Sequence, residues 1–176
     1  MSLLRFIYNC FFGYVSIRGL SGISVLPRMH RRDYLSIGKG TRIERWASIY
    51  TQGGSIKIGR KCHVSKMCII HGLGGVEIGD NTLMGPGVHV YSSNHNVHGM
   101  HHGKLKEEIG KPVRIGSNVW LGAGVIVLPG VLIGDNCVIA AGAIVAKNVM
   151  NNTMLSGSSA EEIKRYNSEK QRWEKI

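Results

Sequence analysis

The chain holds only 4 prolines and 4 cysteines in 176 residues, and its cysteines form no CxxC pair and no Cys/His pairing. Those missing pairings argue against a thiolate metal centre or a disulfide framework. Cys62, Cys68 and Cys137 read instead as reduced core residues of a cytoplasmic protein. Acids are scarce too: 11 Asp and Glu stand against 22 Lys and Arg, for a net charge of +11 and a pI near 9.8. That excess implies polyanionic company, whether cofactor phosphates, an acidic glycan, an anionic membrane surface or nucleic acid. Aromatics interleaved along a basic stripe are missing, which weighs against nucleic acid. The segment Met1 to Leu26 is rich in Phe, Leu, Ile and Tyr. It nevertheless lacks both the uninterrupted apolar run of about 20 residues that a membrane span needs and a small-residue cleavage pattern. With 43% hydrophobic residues and 24 glycines, the chain is long enough to bury one substantial core.

A helical period is also missing where the chain is most regular. From Ile115 to Met150 it reads IGSNVW, LGAGVI, VLPGVL, IGDNCV, IAAGAI and VAKNVM, six hexads that each open on an aliphatic residue. The fifth position is Val, Cys or Ala, so two inward-facing residues recur every six. An amphipathic helix needs apolar residues three and four apart, and a hairpin strand needs alternation broken by tight turns. A sixfold repeat suggests a short strand and a bend, stacked as a parallel β-helix with strands about 4.8 Å apart. Reading from the N-terminus, coil one is IGKGTR from Ile37, IERWAS and Ile49. Coil two is IGRKCH, VSKMCI and Ile70, and coil three is IGDNTL, MGPGVH and Val90. An interruption from Tyr91 to Arg114 then precedes coils four and five. Of twelve complete hexads, seven have Gly second (Gly38, Gly59, Gly79, Gly85, Gly116, Gly122, Gly134), which suits a backbone conformation that penalises Cβ.

Both ends depart from the repeat. Residues 1–36 form an apolar and basic segment with two readings: a helix capping the open end of the coil, or a segment lying on a membrane, helped by Arg28, Arg31, Arg32, Lys39, Arg42 and Arg45. Residues 37–150 make the repeat domain with its loop at 91–114, and 151–176 is expected to close the other end. There, Ser159 to Ile176 reads as a polar α-helix, with Ser158 or Ser159 as N-cap and Glu161 and Glu162 in its first turn.

The interruption spans 24 residues and contains SSNHNVHGMHHGKLKEE. A loop this long in a compact repeat usually has a task. Its histidines, His95, His98, His101 and His102, invite a zinc reading. The segment has no Cys, however, and its carboxylates, Glu107 and Glu108, lie further on. A surface loop is the bland alternative. The third reading is a general base, since a neutral imidazole takes a proton from a hydroxyl or amine as that group attacks an acyl donor.

With SSNHNVH, GKPVRIGSNVWLGAGVIVLPGV, IGDNCVIAAGAIVAKNV and, more weakly, LSGSSAEEIKRY, the chain resembles the left-handed β-helix, hexapeptide-repeat acyltransferases. Within them it looks most like the bacterial polysaccharide and sugar O-acetyltransferases. The resemblance implies an all-β, left-handed parallel β-helix of about five coils, a homotrimer with sites between neighbouring subunits, and acetyl-CoA as donor with no metal. It puts the catalytic base at His95. Ala123 falls where a backbone N–H faces the thioester carbonyl and would hold the oxyanion. Ala141 and Gly142 fall where small residues admit the pantetheine arm, and Lys147 near the cofactor phosphates. Trp120 falls where a ring packs on the acceptor sugar. Ser65 and Asn94 are also counted with the acceptor.

One departure stands out. Relatives end the coil with Gly-Asn-Pro-Ala-Lys/Arg, whereas this chain has Gly157, Ser158, Ser159, Ala160 and Glu161, so a basic residue has become acidic. Lys164 and Arg165 are the replacements for that phosphate contact. The expected function is O-acetylation of a sugar hydroxyl in lipopolysaccharide, capsule or other surface-polysaccharide synthesis, in the cytoplasm or against the inner face of the membrane, on a free, nucleotide-linked or lipid-linked saccharide. Three alternatives stand beside it. One is N-acetylation of an amino-sugar nucleotide. Another is a γ-carbonic-anhydrase-like metalloenzyme, which would need His63 or His71 as its distant ligand. The last is a non-catalytic scaffold. What would orient His95 is left open between a backbone carbonyl, Glu107 and Glu108.

Overall fold

The computed structural model describes residues 35–44, 46–97, 103–104, 106–159, 161–167 and 169–175, together with the backbone of 16, 17, 23 and 24. His98, His101, His102 and most of the N-terminal segment therefore lie outside the described residues. The chain winds through three parallel sheets in strict rotation. The first side stacks Ser16–Ile17, Arg42–Ile43, His63–Val64, Leu83–Met84, Trp120–Leu121, Val138–Ile139 and Thr153–Ser156. The second stacks Ile23–Ser24, Ala47–Tyr50, Ile69–His71, His89–Tyr91, Ile126–Val127 and Ile144–Val145. The third stacks Leu35–Ile37, Ile56–Ile58, Val76–Ile78, Val113–Ile115 and Leu132–Ile133. The expected hexads are these strands with their corners. The ladder also begins one coil earlier than Ile37, because Ser16–Ile17 pairs with Arg42–Ile43 and Ile23–Ser24 with Ala47–Ser48.

Alternate residues of each strand point inward, and the core is a continuous column of residues such as Ile43, Val64, Met84, Leu121 and Ile139. The fifth position of the hexad is buried at a corner, where a small residue with a weak donor fits. Thr41 and Thr82 give their hydroxyls to Gly59 O (2.6 Å) and Gly116 O (2.9 Å). Cys62, Cys68 and Cys137 direct their thiols at Gly79 O, Gly85 O and Met150 O, 3.1 to 3.2 Å away. Burial pushes these thiols up, Cys68 to about 11, so they are protonated packing groups.

Two expectations are corrected. None of the seven second-position glycines has a positive φ. They are small because the next coil passes within contact: a Cβ on Gly122 would lie 2.6 Å from Ala141 N. The left-handed conformation falls two residues later, on Asn81, Asn118 and Asn136 (φ 57°, 57° and 56°) and on Gly87, Gly124 and Gly142. The C-terminal segment, read as a helix, is a β-hairpin. Glu161–Asn167 pairs antiparallel with Thr153–Ser156 and then with Arg172–Lys175. The last parallel rung leaves an edge of unpaired N–H and C=O groups, which a helix would not satisfy. Asn167 makes the reversal, its side-chain oxygen accepting from the N–H groups of Glu169 and Lys170 at 3.0 Å, and Tyr166 meets Trp173 edge-on at 5.4 Å.

Candidate active site

At the corner from the third side to the first, the third residue of four successive hexads donates its amide to the coil above. Arg60 N reaches Asp80 Oδ1 (2.7 Å), Asp80 N reaches Ser117 Oγ (3.1 Å), Ser117 N reaches Asp135 Oδ1 (2.7 Å) and Asp135 N reaches Asn151 Oδ1 (3.0 Å). The equivalent residues at the corner from the first side to the second are Ala123 and Ala141. No side-chain oxygen overlies them, and among the described residues their N–H groups have no hydrogen-bond acceptor. Both residues are exposed, as is Gly142. Gly85 and Gly122 keep the amides open, since a Cβ on either would sit 2.7 Å from Ala123 N or 2.6 Å from Ala141 N. The result is a strip of outward N–H donors on two successive coils, suited to a carbonyl or to a developing oxyanion.

The first side flanks this corner. Trp120, 52% exposed, stands outward in register between Leu83 and Val138. The same column continues through Met154 to Lys164 on the C-terminal hairpin, so Lys164 emerges on the same face as Trp120. Arg165 is engaged by Glu162 at 2.6 Å, whereas no ion pair links Lys164 to a described residue. Lys147 is exposed on a different corner, after the second side. Ser65 is buried beneath Gly85, with its N–H on Met84 O at 3.1 Å. Next to it, His63 Nε2 lies 2.9 Å from Glu44 Oε1, and this contact holds the Glu44 carboxyl below its usual range.

His95 lies elsewhere. The interruption leaves the second side after His89–Tyr91, forms an antiparallel pair of Ser93–His95 with Glu108–Gly110, and returns to the third side at Val113–Ile115. His95 and the Ala123 amide therefore stand on different corners, separated by the second side, and one chain does not bring them together. Among the described residues that second side carries no Lys, Arg, Asp or Glu on its outward face: Ile69, His71, His89, Tyr91, Ile126, Leu128 and Ile144 project from it, all half-buried. The third side is the opposite, carrying a Lys57, Glu77, Arg114 ion row with both contacts at 3.3 Å.

Within the loop, register sorts the polar residues. Asn96 N donates to Glu107 O (2.8 Å) and Lys111 N to Ser92 O (2.7 Å), which makes Ser93/Gly110 and His95/Glu108 the non-hydrogen-bonded pairs, the ones whose side chains stand closest. Glu108 is thus on the face of His95. Glu107 is on the other face, where Asn96 Nδ2 donates to its carboxylate at 3.2 Å, and Asn94 is exposed on that face too. Ser93 Oγ donates to Glu108 Oε2 (3.0 Å) and lies 3.2 Å from His71 Nδ1. The His71 ring itself sits between Tyr50 and Tyr91, with centroids 6.5 and 6.2 Å away.

Sequence reasoning named His63, His71 and Glu108 for other tasks, but it missed their partners Glu44 and Ser93. Column counting comes close without reaching them, since one coil back from His63 is Arg42, two residues before Glu44, and one coil on from His71 is Tyr91, two residues before Ser93.

The comparison with known proteins agrees with the repeat. A family described as bacterial transferase hexapeptide (six repeats) matches residues 112–147. A putative acetyltransferase of Schizosaccharomyces pombe is 36% identical over 123 residues, covering 68% of this chain and 58% of its own length. The galactoside O-acetyltransferase of Escherichia coli is 38% identical over 119 residues, covering 67% of this chain and 58% of its own. The chain thus spans 58% of the length of these two relatives. Among solved structures, AntD, an N-acyltransferase from Bacillus cereus in complex with dTDP and 3-hydroxybutyryl-CoA, superposes with a TM-score of 0.76 at 20% identity, covering 96% of this chain and 90% of that one. At that identity the likeness is one of fold.

Proposed function

Because the chain belongs to the hexapeptide-repeat transferases, we propose that it is an acetyl-CoA-dependent O-acetyltransferase acting on a sugar hydroxyl in the assembly of lipopolysaccharide, capsule or another surface polysaccharide. The observation that carries this reading is the pair of open amides at Ala123 and Ala141, whereas at the neighbouring corner the amides of Arg60, Asp80, Ser117 and Asp135 are each capped by a side-chain oxygen. Acetyl-CoA lies along this strip, with its thioester carbonyl on the Ala123 N–H and its pantetheine arm over Ala141 and Gly142. Lys164 of the same chain, and Lys147 from a neighbouring copy, meet its phosphates. The acceptor sugar stacks on Trp120 near Ser65, with Asn94 contributing from the loop. His95 takes the hydroxyl proton as the oxygen attacks the thioester carbon, the Ala123 N–H stabilises the oxyanion, and the thiolate of CoA leaves with that proton.

Such a site needs His95 and Ala123 from different copies, and the uncharged second side between them is the surface on which a neighbour packs. A homotrimer follows, each subunit lending its loop to the next. Residues 1–50 hold eight Lys and Arg against two acids, which supports a lipid-linked acceptor at the cytoplasmic leaflet. No helix among the described residues is long and apolar enough to cross a membrane.

The test is to incubate purified protein with radiolabelled acetyl-CoA and a panel of galactosides, glucosides and amino-sugar nucleotides, following free thiol and labelled sugar. An ester product, released by hydroxylamine, is expected. A hydroxylamine-stable amide would identify the N-acetylating alternative, and no thiol release from any acceptor would count against the whole reading. His95→Ala should lower kcat by about 100- to 10,000-fold while leaving acetyl-CoA binding, measured by calorimetry, close to that of the unaltered protein.

A further inference from the structure

We propose that Glu108 is the positioning residue for the His95 imidazole, and that Ser93 and His71 hold its carboxylate in place for that task; the inference rests on the reading of His95 as base. Three observations carry it. The first is register: His95 and Glu108 are directly opposite in a non-hydrogen-bonded pair, where Cβ atoms stand about 4.5 to 5.5 Å apart on one face. A glutamate at that separation reaches Nδ1 of the histidine facing it. The second is that one carboxylate oxygen is already anchored, since Glu108 Oε2 accepts from Ser93 Oγ at 3.0 Å while Oε1 has no partner among the described residues. The third is that the anchor is itself fixed. Ser93 is 8% exposed and lies 3.2 Å from His71 Nδ1, which donates to Ser93 Oγ when it carries the proton. His71 in turn belongs to the rigid second side and is flanked by Tyr50 and Tyr91.

The chain of donors therefore runs one way, His71 to Ser93 to Glu108, and ends on an anionic oxygen open toward His95. With Nδ1–H of His95 on that oxygen, Nε2 is left unprotonated and aimed outward, the tautomer a general base needs. When Nε2 takes the acceptor's proton, Glu108 stays ionised and stabilises the imidazolium. Glu107, with the same chemistry one residue away, points to the other face and is occupied by Asn96.

The experiment compares Glu108→Gln, Ser93→Ala, Glu107→Gln and His95→Ala in the full-length protein. Glu108→Gln should lower kcat by about 10- to 100-fold with little change in KM for acetyl-CoA. It should also move the acid limb of the kcat/KM profile to lower pH, because the imidazolium loses its counter-charge. The titration of His95, followed by NMR with labelled imidazole, should move the same way. Ser93→Ala should give a smaller change in the same direction, Glu108→Asp should recover part of the loss, and Glu107→Gln should leave the His95 titration in place. An unmoved His95 titration in Glu108→Gln, or an equal shift in Glu107→Gln, would overturn the proposal. Because the NMR titration needs no turnover, it decides the Glu108 assignment even if His95→Ala proves active and the base reading fails.

Discussion

Replacing Gly122 by Ala perturbs the fold and the candidate donor strip through the same atom. The added Cβ would meet only backbone: Ala141 N at 2.6 Å, Ala141 Cα at 2.9 Å and the Ala140 carbonyl carbon at 3.0 Å. Ordinary contact begins at 3.4 Å, so the coils must part by up to 0.8 Å, and no side-chain rotation relieves the clash. Parting them stretches the rungs on either side of the clash, Gly122 N to Ile139 O (2.8 Å) and Gly142 N to Ala123 O (2.8 Å). Overpacking of this kind costs about 1 to 3 kcal/mol. At about 2 to 4 °C per kcal/mol for a chain of this size, the melting temperature should fall by about 2 to 12 °C. The comparison is Gly124→Asn. Gly124 has φ +69° with nothing within 4 Å of its Cβ, and Asn118 and Asn136 hold that conformation on the neighbouring corner. Its effect should stay within about 0.5 kcal/mol. Calorimetric melts at one fixed protein concentration, paired with the KM for acetyl-CoA, give the readout. Gly122→Ala should melt lower and raise KM by crowding the Ala141 N–H. Equal melts for the two variants, or a larger loss in Gly124→Asn, would refute the close-approach argument.

Ile126 stands on the uncharged second side between His89 and Ile144, and Ile126→Glu would bury a charge in any interface formed there. Light scattering should show a trimer for the unaltered chain and a monomer lacking transferase activity for the variant, with each coil intact by circular dichroism; a monomer at micromolar concentration in both would remove the interface. Glu44 is held below its ordinary value of 4.5 by the His63 hydrogen bond, so its contribution is present above that value and is lost as pH falls through the lowered one. Urea midpoints measured from neutral pH down to about 3 should fall less steeply in Glu44→Gln than in the unaltered chain, and parallel curves would count against the pairing.

The sixfold period determined the β-helix by itself, because stacked coils impose their repeat directly on the sequence. An inward residue is wanted every two positions of a strand and a bend every six, and each coil sees the same neighbours. The thiols at Cys62, Cys68 and Cys137 were legible for the same reason. The exceptional segment was legible as an exception, so His95 and its loop stood out, whereas Ala123 and Ala141 were marked only by the family resemblance. What the period does not encode is what happens where it stops. The tail from Glu161 carries charges at helical spacing, yet it meets an open strand edge that exists only once the coils below have formed, and pairing with that edge makes it a hairpin. Why Gly occupies the second position likewise needed the next coil, since the obstacle is the backbone of residues about one coil away and not the glycine's own φ. Glu107 and Glu108 are indistinguishable as letters. Only the pairing register, fixed by the Asn96 to Glu107 and Lys111 to Ser92 hydrogen bonds, sends one toward His95 and the other away, since successive side chains on a strand point to opposite faces.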